Sequence, residues 1–415
     1  MRRPTRHEGS TQLALPAFCF MWMTAAGHLP SLKDLNGHIH VLSPGGSSLC
    51  GDGSEFVFLV RPGRVNKVMV DFMGGGACWN AQTCEHAAIN GLLRVNSLVR
   101  QLNGLPQEVA SLALVSSGVS LPTDGGTFAR AGVEDWTYVL VPYCTQDVHM
   151  GRGPKEYATA SGQSLRVFHT GAANVAAVMA WLWDNTPEPE TVAFVGCSAG
   201  ATVVNLVQAA RAVRRIEQQG LQSRIVVLSD SPAIVVHDDF VQAAVANWGL
   251  KTTVEEILGT PVNLPQNADL VPKLWQELLQ GVPNLTAGYY VAARDQVLYA
   301  TWRDMSGSKA GSMTSWQCRL FSITKQLNGL PNFRSFVAGS AGHCSMPFDQ
   351  ARWNSGFSAW AGALMRHLPL ASVDCGEECH PSGLVGCDDI RGSELGEDRC
   401  GDGQSCIGGM VGSSF

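Results

Sequence analysis

Short apolar runs, each closed by glycine, proline or a polar turn, recur along this chain, with stretches of helical period between several of them. The runs cover residues 55–60, 67–72, 137–141, 191–195, 224–228, 288–292 and 334–337, and the clearest helical patterns cover 171–185 and 200–218. Strand alternating with helix leaves few architectures, because parallel strands need long crossovers and those helices must pack back on the sheet. The predicted fold is therefore α/β: a mostly parallel sheet with helices on both faces. At 45% apolar residues, the 415-residue chain has the material for such a core.

In sheets of this kind, ligands sit at the carboxyl ends of the strands. The run 191–195 leads into Gly196-Cys197-Ser198-Ala199-Gly200 and then a helical stretch. G-x-S-x-G between strand and helix is the pattern of a nucleophile elbow, which lifts a serine hydroxyl above the sheet edge. A helix-capping serine in a tight turn is the plainer reading. Ser198 as nucleophile needs a base, and the base an orienting acid, which follow the serine in the order acid, then histidine. The next runs end near Asp230, then Asp295, and the last is followed by His343. His343 is thus the candidate base, against His86, His149 and His237, which lie beside the wrong strands. Position favours Asp295 as the acid and leaves Asp230 as its rival, with a role fixing the neighbouring loop through backbone hydrogen bonds.

Residues 67–72 run into Met73-Gly74-Gly75-Gly76-Ala77-Cys78-Trp79-Asn80. Bare backbone there suits an oxyanion hole, with one N–H from Gly75 or Gly76 and another from Ala199. A phosphate loop is the alternative use of such a run, but G-x-x-x-x-G-K-[S/T] is absent. Trp79 is a candidate substrate-binding ring or a core residue.

These motifs, in this order, resemble the pectin acetylesterase family, which includes plant pectin acetylesterases and the animal Wnt deacylase Notum. The resemblance runs from about residue 50 to residue 348. It rests on Cys50-Gly51-Asp52-Gly53, the Gly74–Asn80 segment, Val141-Pro142-Tyr143-Cys144-Thr145-Gln146-Asp147-Val148-His149, Gly196–Gly200, Asp230-Ser231, Asp295-Gln296 and His343-Cys344. It implies an α/β-hydrolase-like fold and a serine carboxylesterase, with Ser198, Asp295 and His343 as catalytic residues and no cofactor. The implied substrate is an O-acetylated polysaccharide such as pectin or another O-acyl ester. The rival readings are a fatty-acyl deacylase like Notum and a catalytically silent cell-wall binding protein on the same fold. Gln146 and Ala201 stand where the family usually or often has glycine, and both bear on substrate preference.

The ends of the chain set the compartment. Arg2, Arg3 and Arg6 precede an apolar stretch, 13–23, and small residues follow it, as in a secretory signal. Without Cys19, twelve of the 13 cysteines remain, an even set that suits disulfides in an oxidising compartment. The expected organisation is a signal peptide at 1–27, a catalytic domain at 28–370 and a Cys-rich acidic tail at 371–415. In that tail, Cys375, Cys379 and His380 have zinc-like spacing, but a disulfide is the expected use, and no metal is expected elsewhere. The net charge of −6 gives no footprint for nucleic acid. No stretch after the leader is long enough for stable membrane insertion, and the leader and the even cysteine set together make the expected location extracellular.

Overall fold

The computed structural model describes residues 29–106, 110, 131–307, 311–346, 356–376 and 379. The proposed leader, 1–27, lies outside them. An eight-stranded sheet forms the centre. In chain order its strands are β1 (His40–Leu42), β2 (Phe58–Arg61), β3 (Lys67–Phe72) and β4 (Thr137–Val141), then β7 (Thr191–Cys197), β8 (Arg224–Asp230), β9 (Thr286–Ala292) and β10 (Phe333–Ala338). Between β4 and β7 the chain makes a separate antiparallel hairpin, β5 (Gly153–Ala158) and β6 (Ser164–His169). The spatial order is β1-β2-β4-β3-β7-β8-β9-β10. β1, β2 and β4 pair antiparallel, and every pairing from β4 to β10 is parallel.

Helices cover both faces. Successive strand residues point to opposite sides. On β9, Gly288 lies under Trp360 and Leu364 of the helix Phe357–Met365, where a Cβ would come within 2.7 Å of the Trp360 ring. The next residue, Tyr289, packs on Trp275 of the helix Leu270–Gly281 and hydrogen-bonds Thr324 of the helix Met313–Asn328. Burial on both faces explains why the central strands read as continuous apolar runs rather than alternating ones.

Three features depart from the sequence reading. The hairpin β5–β6 has no apolar run to mark it in the sequence, because its strands are half exposed and carry Lys155, Glu156 and Arg166 on a sheet of only two strands. The helix expected over 200–218 is broken: Ala199–Thr202 and Val204–Gln219 are separated at Val203, with φ −140°. The Thr202 carbonyl accepts from the Trp275 indole, and Leu206 N–H bonds the Asn205 side chain. Lastly, the tail's first residues lie along the free edge of β10. Val373 exchanges backbone bonds with Ser335 and Val337, and the Trp360 indole donates to the Ala371 carbonyl. Packing onto the sheet therefore continues past residue 370. Among the described residues, no helix is long and apolar enough to cross a membrane.

Candidate active site

β7 ends in a turn that only small residues can make. A Cβ on Gly200 would sit 2.0 Å from the Phe72 carbonyl oxygen, and one on Gly196 would sit 2.3 Å from that of Gly200. Between them Ser198 takes φ 54°, ψ −118°, a strained backbone for a side-chain residue. Its N–H donates to the Asp230 carbonyl at the end of β8. The glycine loop after β3 presses on the same turn, for a Cβ on Gly74 would lie 2.8 Å from Ser198 Cβ. Besides Ser198, the side-chain residues with positive φ are Gln146, Val148, His149, Ser231, Cys344 and His367. All but His367 belong to segments that follow strands at this end of the sheet.

Asp295 lies three residues beyond β9 and caps the helix Gln296–Ser306. Its Oδ1 accepts from Leu298 N–H, and its Oδ2 lies 2.8 Å from His343 Nδ1. The carboxylate only accepts, so Nδ1 carries the hydrogen and Nε2 is left free to take a proton. Asp295 is fully buried, while the His343 side chain keeps 16% of its surface exposed. The structure thus joins the predicted acid and base directly. Serine and base are tied through their neighbours: Cys197 and Cys344 form a disulfide with Cα atoms 5.7 Å apart. A ring nitrogen of His343 and both bridge sulfurs lie within 4.8 Å of one another. The pairing had a legible signal, since each cysteine adjoins a predicted catalytic residue.

Asp230 faces the loop that carries His343. Its Oδ2 accepts from Met346 N–H at 2.6 Å and its Oδ1 from the Ser231 hydroxyl, whose oxygen accepts from Cys344 N–H. Burial pushes this carboxyl up to about 7, against the opposing pull of the Met346 N–H, the His343 ring and the Ser231 hydroxyl. Asp230 therefore braces the loop from below, while Asp295 meets the imidazole.

The loop at Gly74–Gly76 is held by the segment after β4. Gln146 Nε2 donates to the Gly75 carbonyl at 2.9 Å, the Gln146 carbonyl accepts from Cys78 N–H, and His149 Nε2 donates to the Met73 carbonyl at 2.8 Å. Burial lowers the His149 pKa, which keeps the ring neutral for that role. Asp147, fully buried, accepts from the Thr145 hydroxyl and from Gly151 and Gly171 N–H. Among the described residues, the N–H groups of Gly75, Gly76 and Ala199 meet no protein acceptor. The other rival histidines are occupied elsewhere: His237 caps the helix Asp238–Trp248, and His86 bonds Asn90 on an exposed face. Of the two uses open to Trp79, substrate binding or core, its packing is that of a core residue. It is 6% exposed, and its ring meets Phe240 edge-on at 5.2 Å.

Among the described residues, three groups have metal-ligand spacing, and each contains two cysteines already bonded to one another. Cys375 and Cys379 form one of those pairs, while His380 lies outside the described residues. Two cavities, of about 750 and 410 Å³, open at the amino ends of β8 and β3, away from Ser198 and His343.

A family model described as Pectinacetylesterase matches residues 34–267. The chain belongs to the pectinacetylesterase family. It is accordingly a carboxylic ester hydrolase with an acylated substrate. A comparison with curated proteins gave no match. The family match takes in the glycine loop and Ser198 and ends before Asp295 and His343, so for those two residues the support is the geometry above.

Proposed function

We propose that this member of the pectinacetylesterase family is a secreted enzyme that removes acetyl groups from a polysaccharide such as pectin with Ser198, His343 and Asp295 as its triad. The observation that carries the reading is the His343–Asp295 hydrogen bond on a loop cross-linked to the residue before Ser198. His343 Nε2 takes the Ser198 proton as Oγ attacks the ester carbonyl. The N–H groups of Gly75 or Gly76 and of Ala199 receive the charge on the carbonyl oxygen. The sugar oxygen leaves with the proton from His343. Water, deprotonated by the same ring, then releases acetate and restores the serine. Asp295 fixes the imidazole tautomer throughout. Secretion draws support from the nine described cysteines, all of them disulfide-bonded, since cytosolic thiols stay reduced.

The test is Ser198→Ala assayed on p-nitrophenyl acetate, on p-nitrophenyl octanoate and on acetylated pectin. The variant is expected to lose at least about 10³-fold in kcat at an unchanged melting temperature. Retained turnover removes Ser198 as nucleophile. Faster wild-type turnover of octanoate than of acetate, with no acetate released from pectin, replaces the deacetylase reading with a fatty-acyl one.

A further inference from the structure

Gly75 and Gly76 are the softest part of the proposed site. Their φ values are 143° and 77°, both residues are exposed, and neither has a side chain to hinder rotation of the peptide between them. A trans peptide points its C=O and N–H in opposite directions. Whatever holds the Gly75 carbonyl therefore also sets where the Gly76 N–H points, and a half-turn of that one peptide would replace a donor by a carbonyl.

Gln146 holds that carbonyl. Its Nε2 donates to Gly75 O at 2.9 Å, and the residue is only 2% exposed, so the amide belongs to the wall behind the loop and not to the substrate surface. Gln146 itself sits at φ 54°, where glycine would be the unstrained choice. The chain thus tolerates a left-handed backbone at a residue whose side chain makes this one bond to the glycine loop. Tyr143 supports the same spot from beneath, its ring 3.1 Å from where a Gly75 Cβ would lie.

We infer that Gln146 is a positioning residue that locks the Gly75–Gly76 peptide in its donor-out orientation and so keeps the oxyanion hole formed before substrate arrives. The inference rests on the triad reading above. It assigns Gln146 no contact with the ester. Its loss acts on the charged intermediate more than on the neutral ester, so kcat falls while KM stays.

Two variants test it, each compared with wild type and with Ser198→Ala on p-nitrophenyl acetate. Gln146→Gly removes the amide and relieves the left-handed backbone together, so its melting temperature is expected to hold or rise. Gln146→Met keeps the bulk and loses the donor. Both are expected to lower kcat by roughly 10-fold or more with KM within about twofold, less than the 10²–10³ that loss of an oxyanion donor itself costs. Gln146→Glu adds a signature that a packing role lacks: its ionised carboxylate repels the Gly75 carbonyl, and protonation restores a donor. Its kcat relative to wild type should therefore recover as pH falls. Wild-type kcat in a folded Gln146→Gly, alongside an inactive Ser198→Ala, overturns the inference and leaves the triad standing. An active Ser198→Ala overturns the triad and the inference with it.

Discussion

The two walls around Ser198 are built from different materials. On the glycine-loop side, the bracing groups are neutral or tied by several bonds. Gln146 and an uncharged His149 hold two carbonyls of the loop, and buried Asp147 is fixed by three donors. Disulfides at Cys50–Cys144 and Cys78–Cys84 stand behind them. On the base side, the loop carrying His343 hangs from two carboxylates, one hydroxyl and one disulfide. The glycine loop itself hangs from neutral donors, with Asp147 and the two disulfides behind them, whereas Asp230 and the Cys197–Cys344 bridge attach directly to the loop that carries His343. Protons and reductants therefore act on the second wall at its point of attachment.

The harshest way to break the base wall is at Asp295. In Asp295→Asn the amide oxygen can still accept from Leu298 N–H, which leaves Nδ2 facing the imidazole. The ring must then turn its unprotonated nitrogen toward Nδ2 and its N–H toward Ser198. Loss of the orienting acid in a serine protease costs about 10⁴-fold in kcat, and a fall of that order is expected here without loss of folding. Asp230→Asn, measured in parallel, is expected to keep most of its turnover at neutral pH. If the two results exchange places, the acid is Asp230.

The Cys197–Cys344 bridge comes next. It closes a separation of 147 residues, and a native disulfide typically contributes about 2–4 kcal/mol. Replacing both cysteines by serine should lower stability by that order. It should also lower kcat roughly 10-fold, less than the 10² that a 1 Å misplacement can cost, because Asp295 and Ser231 still grip the loop. The same replacement at Cys50 and Cys144 should cost stability with kcat nearly unchanged. Equal effects on kcat at the two bridges would mean that the walls do not differ as described.

Much of this arrangement is legible in the sequence. The apolar runs at 67–72 and 137–141 coincide with β3 and β4, because a strand buried on both faces leaves a continuous apolar signature. Glycines at 74, 196 and 200 were legible too, since the contacts beside them exclude any Cβ. The strand count that singled out Asp295 and His343 leads to two residues that do meet. What stayed hidden depends on backbone angles and on partners far along the chain. Nothing in the letters Cys144-Thr145-Gln146 tells that Gln146 is left-handed, or that its amide reaches back 71 residues. The loop-fixing role expected of Asp230 is the one its bond to Met346 N–H performs, but the share taken by Ser231, through Cys344 N–H, has no signature in the sequence. The two uses open to Trp79 could not be separated in the sequence, because its packing on Phe240 is a contact with a partner far along the chain.

The mildest probe of the base wall is pH, through Asp230. Its carboxyl lies at about 7 in the folded protein, raised chiefly by burial, against about 3.9 in an unfolded chain. The folded state therefore binds more protons than the unfolded state between these values. Stabilisation from this group is complete below about pH 4 and is lost as pH rises through 7, with a slope up to about 1.4 kcal/mol per pH unit. Asparagine reproduces the protonated form: its oxygen can accept from Met346 N–H, and its amide can donate to the Ser231 oxygen. Groups far from Asp230 titrate equally in wild type and Asp230→Asn and cancel in the difference, which leaves this carboxyl and the charges it interacts with. Melting temperatures measured from pH 4 to pH 8 should show the variant gaining on wild type by about 1–3 °C per pH unit. The gain should level off above pH 7, where both forms of the wild-type acid have ionised. A constant difference across the range would mean that Asp230 is ionised in the fold at all these values. The grip of Asp230 on the His343 loop would then not change with protons across this range.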